Sequence, residues 1–84
     1  VLRVYCYTTK EARPVYAAAF DTLEEAEIKM NDLVAQARLA KALGSKGDRT
    51  LASIYKVAVK SEEGNILASA MRDEEETDAA EPQD

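Results

Sequence analysis

A threonine and a glutamate fix the middle of this chain. Thr22 and Glu25 form a T-x-x-E capping box, in which each side chain satisfies a backbone N–H that the first helical turn leaves open. Glu24, Glu25 and Glu27 then place negative charge at the positive end of the helix dipole. Neither Gly nor Pro follows until Gly44, a residue suited to the left-handed stop after Leu43. The spacing therefore predicts one helix from about Leu23 to Leu43, roughly 31 Å long at 1.5 Å per residue. In an 84-residue chain such a helix leaves room for one domain and one core.

Strand-like segments flank it. Val1–Thr8 (VLRVYCYT) is rich in β-branched and aromatic residues, and Val15–Phe20 (VYAAAF) follows a short polar connection that ends at Pro14. Beyond the helix, SKGDR reads as a loop and Leu51–Lys60 as a strand. Ser61–Asn65 reads as a turn around Gly64, and Ile66–Met71 as the last strand. The expected fold is α+β: a ββαββ chain forming a four-stranded antiparallel sheet crossed by one long helix. The expected core contains Leu2, Val4, Phe20, Leu23, Met30, Leu33, Ala37, Val57 and Val59.

The net charge of −5 belongs to the end of the chain. Basic and acidic residues nearly balance from Val1 to Met71, whereas seven acids face one basic residue from Arg72 to Asp84. That stretch, RDEEETDAAEPQD, has no large apolar residue to offset its ordering entropy. The division expected is a domain over residues 1–71 and a disordered acidic tail over residues 72–84.

The chain carries more apolar surface than one helix on one sheet requires. Leu23, Ala26, Met30, Leu33, Val34 and Ala37 form the stripe expected to face the sheet. Ile28, Ala35, Leu39 and Ala42 recur at heptad-like spacing on the opposite side. Each of the first three strands is also apolar on both faces. By simple alternation Tyr16 sides with Ala18 and Phe20, and Ile54 sides with Ala58 against Val57 and Val59. A one-sided antiparallel sheet should alternate apolar with polar. The excess points to a homodimer, through the second sheet face or through Ile28, Ala35 and Leu39, or to a larger protein partner.

Catalytic motifs are missing. With no His, triads built on an imidazole are excluded within the chain, and one Cys does not make a zinc site. GSKGDRT lacks the order of a phosphate-cradling loop. No enzyme activity, cofactor or metal is expected. No apolar run suggests a membrane span, no secretory leader is visible, and a lone Cys6 suits a reducing, cytoplasmic setting.

Two further groups suggest contact surfaces. Arg38, Lys41, Lys46 and Arg49 cluster at the helix end and the following loop, where they could meet an anion or an acidic partner. Arg3, Tyr5 and Tyr7 alternate along one strand face, a guanidinium beside two amphipathic rings. The expectation is a non-enzymatic protein-binding module, a small adaptor or inhibitor of the kind a phage or mobile element uses to block a larger host protein. A single-stranded nucleic-acid binder using Arg3, Tyr5 and Tyr7 is the first alternative. A binder of a small ligand or nucleotide is the second.

Overall fold

The computed structural model describes Val1–Asp73, and the acidic tail expected from sequence otherwise lies outside the described residues. Strands β1 (Leu2–Thr8) and β2 (Val15–Phe20) form an antiparallel hairpin, and α1 (Leu23–Leu43) follows. A 3₁₀ turn (Gly44–Lys46) and the one-turn helix α2 (Arg49–Ala52) lead into β3 (Ile54–Lys60) and β4 (Ile66–Met71). The sheet order is β2-β1-β3-β4, antiparallel throughout, so the two hairpins join through their first strands. The α+β architecture expected from the sequence is the one observed.

The helix ends fall where the sequence put them, but only half of the reciprocal box forms. The Glu25 carboxylate takes the Thr22 hydroxyl rather than the Thr22 N–H, and Gly44 has positive φ without left-handed helical ψ. Thr22 Oγ1 accepts from the Glu25 N–H at 3.2 Å and donates to the Glu25 carboxylate at 3.3 Å. Gly44 takes φ 62°, and its N–H returns to the Lys41 carbonyl. Between these caps Ala26, Met30, Leu33, Val34 and Ala37 are buried in the core against the sheet, and Ala40 is buried beneath the loop at Gly47. Val4, Val57 and Val59 are fully enclosed beneath them, with Cys6 and Ile54 alongside. Small alanines at two of the five core positions of the helix let its backbone approach the branched strand residues closely.

Several expectations are corrected. Leu23 does not join the core; it is the first helical residue and is 38% exposed. Leu2 and Phe20 pair with each other and only half-bury against the core. Residues 49–52 are helical rather than loop and strand, because Asp48 Oδ1 accepts from the Thr50 and Leu51 N–H groups and nucleates a turn. The strand consequently starts at Ile54.

Two bulges re-phase the sheet. In β2 the register slips at Ala17, so Tyr16 pairs with Tyr5 while Ala18 pairs with Val4. Tyr16 is therefore carried to the face opposite Ala18 and Phe20. In β3 the slip at Tyr55 pairs Ile54 with Thr8 and turns Ile54 into the core, 4% exposed. A third slip, near Leu67 in β4, leaves Ile66 and Leu67 exposed at the sheet edge.

Candidate open-face binding site

The single long helix covers one face of the sheet, and among the described residues nothing covers the other, called here the open face. Cross-strand pairing places Tyr7, Lys56 and Met71 in one row of that face and Tyr16, Tyr5, Ala58 and Ser69 in the next. The third row holds Ala19, Arg3, Lys60 and Ile66. Among the described residues no strand contains an aspartate or glutamate, and the charged strand residues, Arg3, Lys56 and Lys60, all belong to these rows. The strand residues of the face are thus cationic although the whole chain is acidic, and Glu62, paired with the Val1 ammonium, also feels the charge of Arg3.

Its centre is aromatic. The Tyr5 and Tyr16 rings meet edge to face with centroids 6.1 Å apart. The Lys60 ammonium stands 5.3 Å from the Tyr5 centroid and 5.8 Å from that of Tyr7, and Lys56 stands 5.1 Å from Tyr7. Each lysine is held near a ring by cation–π attraction. Ala58, small and central, is fully covered by its neighbours. The result is a platform of rings bordered by long, flexible cationic side chains.

The structure therefore unites Arg3, Tyr5 and Tyr7 and adds Tyr16, Lys56 and Lys60. The lysines were visible in the sequence as alternating residues of one strand. Their place beside the tyrosines depends on β1 pairing with β3, which strand-by-strand reading does not reveal. Tyr16 was misplaced because nothing in a run of alanines marks where a bulge falls.

The other candidates occupy separate places. Ile28, Ala35 and Leu39 lie on the outer side of α1, with Ile28 66% and Leu39 61% exposed, and Leu43 continues the stripe. Gln36 donates to Asp32 at 2.7 Å on the exposed side of the same helix. Leu39, Leu43, Lys46 and Leu51 line a shallow groove between α1 and α2. The basic group does not form one anion-facing patch. Arg38 turns to backbone carbonyls at the end of β4, and Lys41 pairs with Asp73 at 3.4 Å. Lys46 lies in the 3₁₀ turn, and Arg49 opens α2.

Burial pushes the Cys6 thiol pKa up, partly opposed by the charge of Lys29, so the thiolate is disfavoured. Among the described residues no His, Cys, Asp or Glu cluster could hold a metal ion, and no helix is long and apolar enough to cross a membrane. Family models, curated proteins and solved structures all yield no match to this chain.

Proposed function

We propose that this protein is a non-enzymatic binding module whose working surface is the open face of the sheet, and that its partner is a single-stranded nucleic acid. One observation carries the reading: three tyrosines share that face with Arg3, Lys56 and Lys60, and no acidic residue occurs in any strand among the described residues. Rings offer stacking platforms that tolerate any base, and mobile cations beside them meet phosphates. A second copy of the same face is a poorer partner, since docking would set like charges against one another. Lysine is also depleted at protein interfaces.

Fluorescence anisotropy with a labelled oligo(dT) at low salt tests the proposal. Saturable binding that falls about tenfold or more in Tyr5→Ala and in Tyr7→Ala is expected, since stacking is worth about 1–3 kcal/mol per base. Absence of binding at low salt, or binding indifferent to both substitutions, overturns it.

A protein partner, including a second copy, remains the second reading and rests on a different surface. The exposed Ile28, Leu39 and Leu43 on α1 are larger than a solvated helix face requires. They suit a partner helix or an inhibitory contact with a larger protein.

A further inference from the structure

The helix runs obliquely over the sheet. It starts next to Phe20, whose partner is Leu2, and its Arg38 reaches the opposite end of the sheet at Met71 and Arg72 on β4. That path leaves the corner where β1 ends and β2 begins uncovered by α1. The gap is a half-enclosed cavity of about 320 Å³ whose lining includes Cys6, Thr8, Val15, Ala17, Ser53 and Ile54, with Tyr16 at the side shared with the open face.

Independent features converge on this corner. Both re-phasing bulges border it: one involves Ala17, and the other pairs Thr8 with Ile54. Bulges of this kind re-aim side chains beside functional sites. Thr8 and Ser53, each 8% exposed, are the buried polar residues among those described, and both line the cavity. Their hydroxyls are committed in opposite senses. Thr8 Oγ1 accepts from the Glu11 N–H at 3.1 Å, which leaves its hydrogen to donate. Ser53 Oγ donates to the Thr50 carbonyl at 2.7 Å, which leaves its oxygen to accept. The Thr9 N–H bonds to the Ser53 carbonyl at 3.0 Å and holds the two walls together.

We infer that this corner is a binding site for a small planar ring bearing a carbonyl next to an N–H, the lactam edge found in pyridones and pyrimidine bases. The apolar walls take the ring, Thr8 donates to the carbonyl, and Ser53 accepts from the N–H. The volume suits a substituted single ring, since a cavity of about 150 Å³ already holds benzene. The site shares Tyr16 with the open face, but its two hydroxyls belong to Thr8 and Ser53, so the inference does not depend on the reading given to that face.

Titration of the ¹⁵N-labelled protein with 2-pyridone tests the inference, with N-methyl-2-pyridone and toluene as comparison probes. Saturable shifts at Thr8, Val15, Ser53 and Ile54 are expected, together with slower alkylation of Cys6. N-methyl-2-pyridone, which lacks the N–H, should bind at least about tenfold more weakly, because the Ser53 oxygen then loses its partner. Thr8→Val should weaken 2-pyridone about tenfold while leaving toluene unchanged. Ala17→Leu should fill the cavity and abolish all three signals. No saturable shift with 2-pyridone, equal binding of the N-methyl compound, or binding untouched by Thr8→Val overturns the assignment.

Discussion

The Arg38 guanidinium donates from Nε to the carbonyl oxygen of Arg72 at 2.7 Å, fastening α1 to the residue that follows β4. Its Nη2 reaches the Met71 carbonyl at 3.5 Å. Arg72 in turn donates from Nη1 to the carbonyls of Ala52 and Ile54, at 2.6 and 3.1 Å. Helix, edge strand and the α2–β3 junction are thus joined through two guanidinium groups and four backbone oxygens. A residue expected from the sequence to meet an anion or an acidic partner is instead a tie between layers.

Removing that tie should be costly. Arg38→Ala is expected to lower unfolding stability by about 2–3 kcal/mol, since a hydrogen bond from a charged group contributes about 1.5–3 kcal/mol and the carbonyls lose their donor. Arg38→Lys keeps the charge but not the planar fork, and should recover less than half of the loss. Urea denaturation checks both. A midpoint for Arg38→Ala equal to the parent's would show that the tie adds nothing.

Gly47 is irreplaceable for a different reason. A Cβ placed there would stand 2.3 Å from the Ala40 carbonyl oxygen, so the loop after α1 presses directly on the helix backbone. Gly47→Ala should force that loop away from α1 and lower stability by about 2 kcal/mol or more. Gly64, at φ 92° with open space around it, provides the contrast. Gly64→Ala should cost about 1–2 kcal/mol through backbone strain alone. Thermal melts of the two variants should rank Gly47→Ala as the less stable.

How far the sequence was readable follows from how local each feature is. Although β3 starts three residues late, at Ile54, the cap at Thr22, the stop at Gly44 and the other three strands obey short-range rules and appear close to where those rules put them. The bulges at Ala17 and Tyr55 do not, because a register slip is decided by what lies across the sheet. Those slips govern the faces reached by Tyr16 and Ile54, and hence the composition of both the open face and the corner cavity. The turn at Arg49–Ala52 was readable in principle: Asp48 is a strong cap, but the single turn it starts is too short to show periodicity.

Acid should act on the same end of the sheet as Arg38. The Arg72 side chain bonded to the Asp73 carboxylate, with further help from Lys41, lowers the Asp73 pKa below its usual range. A carboxylate whose pKa falls on folding contributes stability that is present above its unfolded pKa and disappears as pH falls through the folded one. Asp73→Asn should therefore flatten part of the loss of stability between about pH 5 and the folded pKa, and change little at lower pH. The effect will be small because the group is exposed and solvent screens it. Urea midpoints across that range for parent and variant check the slope.

Self-association separates the two exposed surfaces. If α1 docks on a second copy through Ile28, Leu39 and Leu43, sedimentation equilibrium should show a concentration-dependent dimer. Leu39→Asp should abolish it and Tyr5→Ala should leave it intact, because Tyr5 lies on the opposite side of the sheet. A monomer at every concentration would remove the helix stripe as an interface between copies.

The salt dependence of oligonucleotide binding counts the cations that the open face supplies. Each phosphate neutralised on a single strand contributes about −0.7 to the slope of log K against log salt, so Arg3, Lys56 and Lys60 together predict a slope of about −2. Lys60→Gln should reduce that slope by about 0.7 and weaken binding most at low salt. Lys41→Gln is the control, since Lys41 is engaged with Asp73 on the covered side of the sheet and should leave the slope unchanged. A slope well beyond −2, or one that responds to Lys41→Gln as much as to Lys60→Gln, would place the contact on some other part of the molecule. A slope near zero with binding retained would mean that the rings hold the strand without the cations, contrary to the arrangement in which both lysines lie over tyrosine rings.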